Sequence, residues 1–228
     1  MEPLKGKIYL VPTPIGNMGD ITQRAIEVLE SADLVACEDT RRSGSLLKKL
    51  GLKKKLISYH DFNEQRRARR LVEQILKGLS VAVITDGGSP GISDPAYRIV
   101  RRAIESNVEI VPLPGPTAVI PALTASGLGT DRFFFEGFLP NKSTARRKRL
   151  ERLKDLEHTL VFYESPHRLS RTLKDMLEVM GNREICVARE ISKKFEQFVR
   201  GTVTDILADL EVRAIKGEIV IVVSGNKV

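Results

Sequence analysis

The chain of 228 residues contains no tryptophan, only three histidines and only two cysteines. Cys37 and Cys186 lie far apart, and no C-x-x-C pair or histidine spacing suggests a metal site, so we expect reduced, buried thiols and no bound metal. No apolar run approaches the roughly 20 residues that span a bilayer, and the N-terminal residues lack the apolar stretch of a signal peptide. We therefore expect a soluble, cytoplasmic protein.

Two nucleotide-binding motifs are missing as well. The loop after the first predicted strand lacks G-x-G-x-x-G, and no G-x-x-x-x-G-K-[ST] occurs. What is present is a regular alternation of short apolar strands with amphipathic helices, which predicts a parallel sheet covered by helices. Beyond residues 127–131 the pattern changes. We predict an α/β protein of two domains, residues 1–125 with the parallel sheet and residues 126–228 with a mixed sheet.

The segment 81–95 is the most informative stretch for a ligand site. Val81–Ile84 is apolar without alternation, which is typical of a strand buried on both faces. It runs into a glycine-rich loop in which Gly87 and Gly88 let the backbone come close to a ligand. Asp94 is predicted to cap the next helix, with Pro95 at its first position. Because parallel strands end at one edge, the loops after the strands should converge there on a ligand.

The same loop matches the G-x-S-x-G pattern of a hydrolase nucleophile elbow at Ser89. In that elbow the backbone N–H after the serine forms half of the oxyanion hole. The residue after Ser89 is Pro90, which has no N–H. The sequence therefore argues against a nucleophilic serine.

A net charge of +8 favours a polyanionic partner over mere solubility, because the basic residues are clustered. Four arginines lie within residues 66–70, two stand at 101 and 102, and the segment 142–152 contains six lysines and arginines with a single acidic residue. A helix face that is only solvated would usually carry acidic side chains four residues from the basic ones. The last segment is the strongest candidate for a nucleic-acid contact.

Eight motifs in order make the chain similar to a known family, the ribosomal RNA small subunit methyltransferase I family of the tetrapyrrole-methylase-like (class III) methyltransferases. The resemblance runs nearly end to end. Its motifs are Val11–Asn17, Glu38–Arg41, Ser58–His60, Asp86–Pro95, Pro112–Pro116, Phe135–Pro140, Tyr163–Arg168 and Ala188–Glu190.

The resemblance implies two α/β domains with the cofactor, S-adenosyl-L-methionine, in a cleft between them, and a homodimer. It implies 2′-O-methylation of a cytidine ribose in the decoding region of 16S ribosomal RNA, as free RNA or in the assembled small subunit. The cofactor-binding residues carried over from the motifs are Pro14, Asp86, Gly87, Gly88, Ser89, Pro90, Ile92, Thr117, Ala118, Tyr163 and Ala188.

Methyl transfer to an alcohol requires alignment of donor and acceptor and removal of a weakly acidic proton. The candidate bases are Asp39, His60, Glu136 and Glu164. Each also has a structural interpretation: Asp39 can cap the next helix, as Asp20 can cap the first, and Glu164 can bind backbone groups near Pro166. The candidate RNA-binding residues are Arg41, Lys142, Arg146, Arg147, Arg149, Arg168 and Lys193.

Two other functions stay open at this level. One is a small-molecule, tetrapyrrole-type methylase of the same fold. The other is a non-catalytic RNA- or ribosome-binding protein that uses the basic helix together with Phe133–Phe135, although we expect those phenylalanines in the core.

Overall fold

A computed structural model describes residues 6–60, 63–212 and 215–226. The chain divides into two compact units, Met1–Thr117 and Ala118–Val228. This division lies earlier than the predicted boundary at 125/126, because helix α5 (Val119–Thr124) packs with strand β10 (Ile219–Val223) of the second unit. The limits 1–125 and 126–228 stay a prediction for the folding domains. Within the described ranges, no helix is both long and apolar enough to cross a bilayer.

The first unit alternates strands and helices, as predicted. Its strands, in chain order, are β1 (Lys7–Leu10), β2 (Leu34–Cys37), β3 (Leu56–Ser58), β4 (Val81–Ile84) and β5 (Glu109–Pro112). Its helices are α1 (Gln23–Ser31), α2 (Thr40–Lys49), α3 (Glu64–Ile75) and α4 (Tyr97–Glu105). The sheet order is β3-β2-β4-β1-β5, and every pairing is parallel. The prediction of a parallel sheet is confirmed.

Strand β4 shows why the first sheet lacks polar alternation. Val81 and Val83 face the core formed with α3 and α4, whereas Ala82 and Ile84 face the core formed with α1 and α2. All four side chains are buried, because successive residues of a strand point to opposite faces and both faces are covered.

Two predicted helix starts are wrong. Helix α1 is capped by Thr22, whose hydroxyl accepts the Ala25 N–H at 3.1 Å, whereas Asp20 ends a short 3-10 helix. Helix α4 begins at Tyr97, not at Pro95. The positive φ of 63° at Ser93 turns the chain out of a helical path just before the predicted cap.

The second unit is built on a mixed sheet, which confirms the predicted fold class. Its further strands are β6 (Phe133–Phe138), β7 (Thr159–Glu164), β8 (Glu184–Arg189) and β9 (Gln197–Thr202), and its further helices are α6 (Ser143–Glu151), α7 (Pro166–Met180) and α8 (Val203–Val212). The order is β6-β7-β10-β8-β9. Only the β6–β7 pairing is parallel among the described strands of this sheet.

Cys37 and Cys186 are buried and free, as expected. Burial raises the pKa of both thiols. The expectation that Phe133–Phe135 is core is wrong for its first two members, since Phe133 and Phe134 are 40% and 38% exposed. Phe135 packs edge-on against Tyr163 with ring centroids 5.0 Å apart. Strand β6 lies at the sheet edge, which leaves one side of its aromatic run open.

Candidate functional site

The loops that follow β1, β4 and β5 are tied into one backbone cradle. Thr13 and Gly88 exchange two backbone hydrogen bonds, with N···O distances of 3.0 and 2.8 Å. The Thr13 hydroxyl also donates to the carbonyl of Thr85 at 3.1 Å, and the Ser89 hydroxyl donates to the carbonyl of Pro116 at 3.0 Å. The predicted convergence of strand-end loops is therefore present, and Ser89 serves it as a cross-link between two loops.

The backbone at position 88 has a φ of +94°, which favours glycine over any residue with a Cβ. A Cβ at this position would lie 3.5 Å from Ile15 Cγ2 and 3.8 Å from the Pro116 carbonyl oxygen, so it would fill the space above the loop without a severe clash. At Gly87 a Cβ would lie 3.4 Å from the Pro14 carbonyl oxygen. The cradle thus presents bare backbone to anything that binds there, as close approach to a ligand requires.

Asp86 links this cradle to the end of β2. Its carboxylate accepts the Asp39 N–H at 3.2 Å and lies 3.1 Å from a guanidinium nitrogen of Arg42. The loop after β2 is therefore held at the same edge of the sheet as Gly88. Both oxygens of the Asp86 carboxylate contact residues that follow β2 and help to hold this segment in place.

Asp39 is the N-cap of α2, which confirms its structural interpretation. Its carboxylate accepts the Arg41 backbone N–H at 2.8 Å and pairs with the Arg41 guanidinium at 2.8 Å. The hydrogen bonds from the Arg41 side chain, and then from the Arg41 backbone, hold the pKa of Asp39 well below its usual range. Such a carboxylate is a weak proton acceptor.

His60 follows β3 and is fixed by Asn63, the residue before α3. Its backbone N–H donates to Asn63 Oδ1 at 3.1 Å, and its ring Nε2 lies 2.9 Å from Asn63 Nδ2. Because Oδ1 is the acceptor in the first bond, Nδ2 is the donor to the ring, which assigns Nε2 as an unprotonated acceptor. The imidazole is thus held by Asn63, with Nε2 against the Asn63 amide and Nδ1 buried.

The other two candidate bases are engaged in structural contacts. Glu136 forms a two-point ion pair with Arg149, and its side chain is only 9% exposed. Glu164 accepts the Thr172 hydroxyl at 2.6 Å and the Ser165 N–H at 2.8 Å, and it lies 3.1 Å from the Nε of Arg168. The structural interpretation of Glu164, as a group that binds backbone near Pro166, fits these contacts.

Tyr163 and Ala188, two of the expected cofactor residues of the second unit, share one face of its sheet. Val220 of β10 pairs with Tyr163 on one side and Ala188 on the other, so the three residues lie in a row across β7, β10 and β8. This face is opposite to the one that packs on α6, α7 and α8, whose core includes Phe162 and Val187. Ala188 is buried, and Tyr163 is half-buried.

Most of the predicted RNA-binding side chains are already paired with carboxylates. The pairs are Arg41 with Asp39, Arg146 and Arg147 with Asp175, Arg149 with Glu136, Arg168 with Glu164, and Lys193 with Glu190 and Glu218. Arg168 also donates to the Leu139 carbonyl at 2.6 Å. Of the seven residues, Lys142 is exposed and has no acidic partner among the described residues.

Arg146 needs a correction. Its side chain is 4% exposed and lies 2.6 Å from the equally buried carboxylate of Asp175. A phosphate could reach this guanidinium only by displacing Asp175 from the interior, which is costly. We therefore remove Arg146 from the RNA-binding candidates.

Thr13 is a site residue that the sequence patterns did not indicate. It is buried, and its backbone and hydroxyl join β1 to the glycine loop. A polar side chain between two prolines, at the end of an apolar strand, is a signal that could have identified it.

Comparison with known proteins agrees with this arrangement. The family model of tetrapyrrole (corrin/porphyrin) methylases matches residues 7–207. Among solved structures, cobalt precorrin-4 methyltransferase has a TM-score of 0.70 at 20% identity, covering 96% of this chain and 94% of that one. Diphthine synthase has a TM-score of 0.70 at 14% identity, covering 96% and 90%. At such identities the likeness shows the fold.

Curated relatives are nearer in sequence. The ribosomal RNA small subunit methyltransferase I of Vibrio cholerae serotype O1 is 49% identical over 224 residues, which cover 96% of this chain and 77% of that protein. The protein of the same name from Halalkalibacterium halodurans is 46% identical, with coverage of 97% and 77%. The chain therefore belongs to the ribosomal RNA small subunit methyltransferase I family, within the tetrapyrrole methylases.

Proposed function

We propose that this protein is a methyltransferase that uses S-adenosyl-L-methionine to methylate the ribose 2′-hydroxyl of a cytidine in the decoding region of 16S ribosomal RNA. Family membership supports the reaction class and the ribosomal substrate. The single structural observation that carries the proposal is the bare backbone cradle at Gly87 and Gly88, cross-linked through Thr13 and Ser89.

The cofactor fits the chemistry of this cradle. Glycines without Cβ atoms let peptide groups approach a nucleoside and an amino-acid moiety closely, and the unpaired ends of parallel strands supply backbone donors and acceptors. The proposed contacts in the first unit are Pro14, Asp86, Gly87, Gly88, Ser89, Pro90, Ile92 and Thr117; those in the second are Ala118, Tyr163 and Ala188. When bound, the cofactor supplies an electrophilic methyl group.

The chain itself must orient the acceptor and accept its proton. We assign the proton to His60 and not to Asp39, because Arg41 lowers the basicity of Asp39, whereas the unprotonated Nε2 of His60 can accept a proton once it exchanges its hydrogen bond with Asn63 Nδ2 for one with the acceptor hydroxyl. Asn63 holds the ring of His60 in one orientation. Glu136 and Glu164 keep their structural assignment.

This assignment has its own test in single-turnover rates. His60→Ala should slow methyl transfer by about 10²- to 10⁴-fold with cofactor affinity nearly unchanged. Asp39→Asn preserves the helix cap and should stay much closer to the parent. If Asp39→Asn were slower than His60→Ala, Asp39 would be the base. Full activity in both variants would mean that the positioning of donor and acceptor, and not either base, sets the rate.

The substrate and the assembly follow from the same proposal. The acceptor is small-subunit ribosomal RNA, free or in the assembled subunit, which places the protein in the cytoplasm. The protein acts as a homodimer, as the family resemblance implies, and no metal is involved.

The deciding experiment first measures the affinity of the protein for the cofactor and then identifies the molecule that accepts the methyl group. Calorimetric titration of the purified protein with S-adenosyl-L-methionine separates an enzyme from a non-catalytic RNA-binding protein. Methyl transfer from labelled cofactor to unmodified small subunits, followed by nuclease mapping, should give one 2′-O-methylated cytidine. Labelling of a tetrapyrrole acceptor with no transfer to RNA would establish the alternative small-molecule methylase.

A further inference from the structure

A groove of about 910 Å³ lies on the outer side of α3 and α4 in the first unit. The residues that line it are Asn63, Gln65, Arg66, Arg69, Arg70, Glu73 and Arg98. We call it the α3–α4 groove. Its walls carry four arginines and one carboxylate, and all its side chains are polar, so it is unsuited to an apolar partner.

The charges of the α3–α4 groove are largely available to a ligand. Arg66 and Arg70 are exposed, and neither has an acidic partner among the described residues. Arg69 pairs with Glu73 at 3.1 Å, but both side chains are more than half exposed, and such a pair is weak. Arg98 pairs with Glu64 at 2.5 Å, which joins the first turns of α3 and α4.

The spacing of the arginines on α3 places them on one stripe. Arg66, Arg69 and Arg70 stand at i, i+3 and i+4, so their Cβ atoms are neighbours about 5–6 Å apart. The opposite side of α3, with Leu71 and Ile75, is buried against the sheet. The basic stripe therefore faces solvent as a consequence of how the helix packs.

The groove also reaches the N-terminal ends of α3 and α4, where Asn63 and Arg98 line it. Helices α3 and α4 are the next helices in the chain after β3 and β4, so their N-terminal turns lie on the side of the carboxyl edge of the parallel sheet, where Gly88 lies. Arg66 and Arg98 belong to these first turns. The two helix N-termini add partial positive charge at the same end.

From this we propose that the α3–α4 groove binds the phosphate backbone of the RNA substrate and guides the acceptor nucleotide toward the edge that carries Gly88. The inference rests on the proposed function. It moves the main RNA contact away from α6, where the arginines are paired with carboxylates, to a surface on which Arg66 and Arg70 have no acidic partner among the described residues.

The test replaces two groove arginines and compares the salt dependence of RNA binding. Arg66→Gln with Arg70→Gln removes two exposed charges that have no acidic partner among the described residues and should leave the fold intact. Lys48→Gln with Lys49→Gln, two exposed residues in the last turn of α2 on the other face of the sheet, is the matched control. Each protein is titrated with a fluorescein-labelled decoding-region RNA fragment at several salt concentrations, and its cofactor affinity is measured in parallel.

In a plot of log affinity against log salt, we expect the slope of the groove variant to be less steep than the parental slope by about 1.4 to 1.8, which corresponds to two lost phosphate contacts. The control should keep the parental slope, and both should keep parental cofactor affinity. In methyl transfer, the groove variant should raise KM for RNA with little change in kcat. These results would support the proposal.

Parental slope and KM in the groove variant would overturn it. So would a loss confined to assembled subunits with binding of the free RNA fragment unchanged, because that result would assign the groove to a ribosomal protein. Failure of the proposed function looks different: the parent protein would then transfer no methyl group to RNA, whatever the binding slopes of the variants.

Discussion

Two helices of this protein have nearly the same number of basic residues but differ in the acidic residues that surround them. Helix α3 contains Arg66, Arg67, Arg69 and Arg70, and helix α6 contains a similar run from 146 to 149. On α6, the three arginines of the run form ion pairs with Asp175, Glu178 and Glu136. On α3, exposed Glu73 is the one acidic partner that the groove-facing arginines have among the described residues.

The difference comes from the neighbouring helix. Helix α6 packs against α7, which places Asp175 and Glu178 in reach of it. Helix α3 packs against α4, whose adjoining side chain is another arginine, Arg98. A count of basic residues along the sequence therefore does not give the electrostatic surface, since acidic partners from distant segments cancel one cluster and leave the other.

The largest expected effect tests the structural role of α6. Asp175→Asn leaves Arg146 buried without its counter-charge and should lower the free energy of unfolding by about 3–5 kcal/mol. Glu178→Gln, at a 57% exposed site in the same network, is the control and should cost no more than about 1 kcal/mol. Urea denaturation measures both, and equal small losses would contradict the distinction between buried and exposed pairs.

The second prediction concerns Arg149. Its removal by Arg149→Ala leaves Glu136, with a 9% exposed side chain, without its ion-pair partner and should cost about 1–3 kcal/mol of stability. The slope of RNA affinity against salt should stay at the parental value. A flattened slope with unchanged stability would return α6 to the role of the main RNA contact.

A third prediction uses pH to probe the same network. Burial alone would raise the pKa of Asp175, but hydrogen bonds from Arg147, Ser143 and Arg146 outweigh it, and the pKa lies below the ordinary value of 3.8. The unfolded chain therefore takes up the proton first as pH falls. The stabilisation by Asp175 should be complete above pH 3.8 and be lost below it, through the lower folded pKa.

Unfolding free energies of the parent and of Asp175→Asn, measured from neutral pH downward, check this sign. Their difference should be constant at neutral pH and shrink only in acid. A difference that grew as pH fell would show that the folded pKa is raised.

The smallest expected effect is at the exposed lysines of the α6 segment. Lys142→Gln with Lys148→Gln removes two exposed charges that have no acidic partner among the described residues. If α6 lies beside the bound RNA without being its main contact, the salt slope should flatten by less than about 0.9, the value for one phosphate contact. A change as large as that of the Arg66 and Arg70 variant would remove the contrast between the two helices.

The sequence alone predicted the alternation of strands and helices in the first unit and the convergence of its strand-end loops. Apolar runs such as Val81–Ile84 and the helical periods between them predicted the parallel sheet, because local hydrophobic spacing fixes which faces are buried. The glycines of the loop after β4 predicted a backbone bend at the edge of the sheet, and Gly88 does have a backbone angle that other residues rarely adopt.

Only the tertiary structure decided which of the charged candidates are available. Arg146 and Asp175 are 29 positions apart, and nothing in their local sequence pairs them; the packing of α6 on α7 does. The same holds for Thr13, which reaches Gly88 across the sheet edge, and for Arg66 and Arg70, which stay open because their neighbour is basic. A charge acts through its whole surroundings, and in a folded chain those surroundings come mostly from residues remote in sequence.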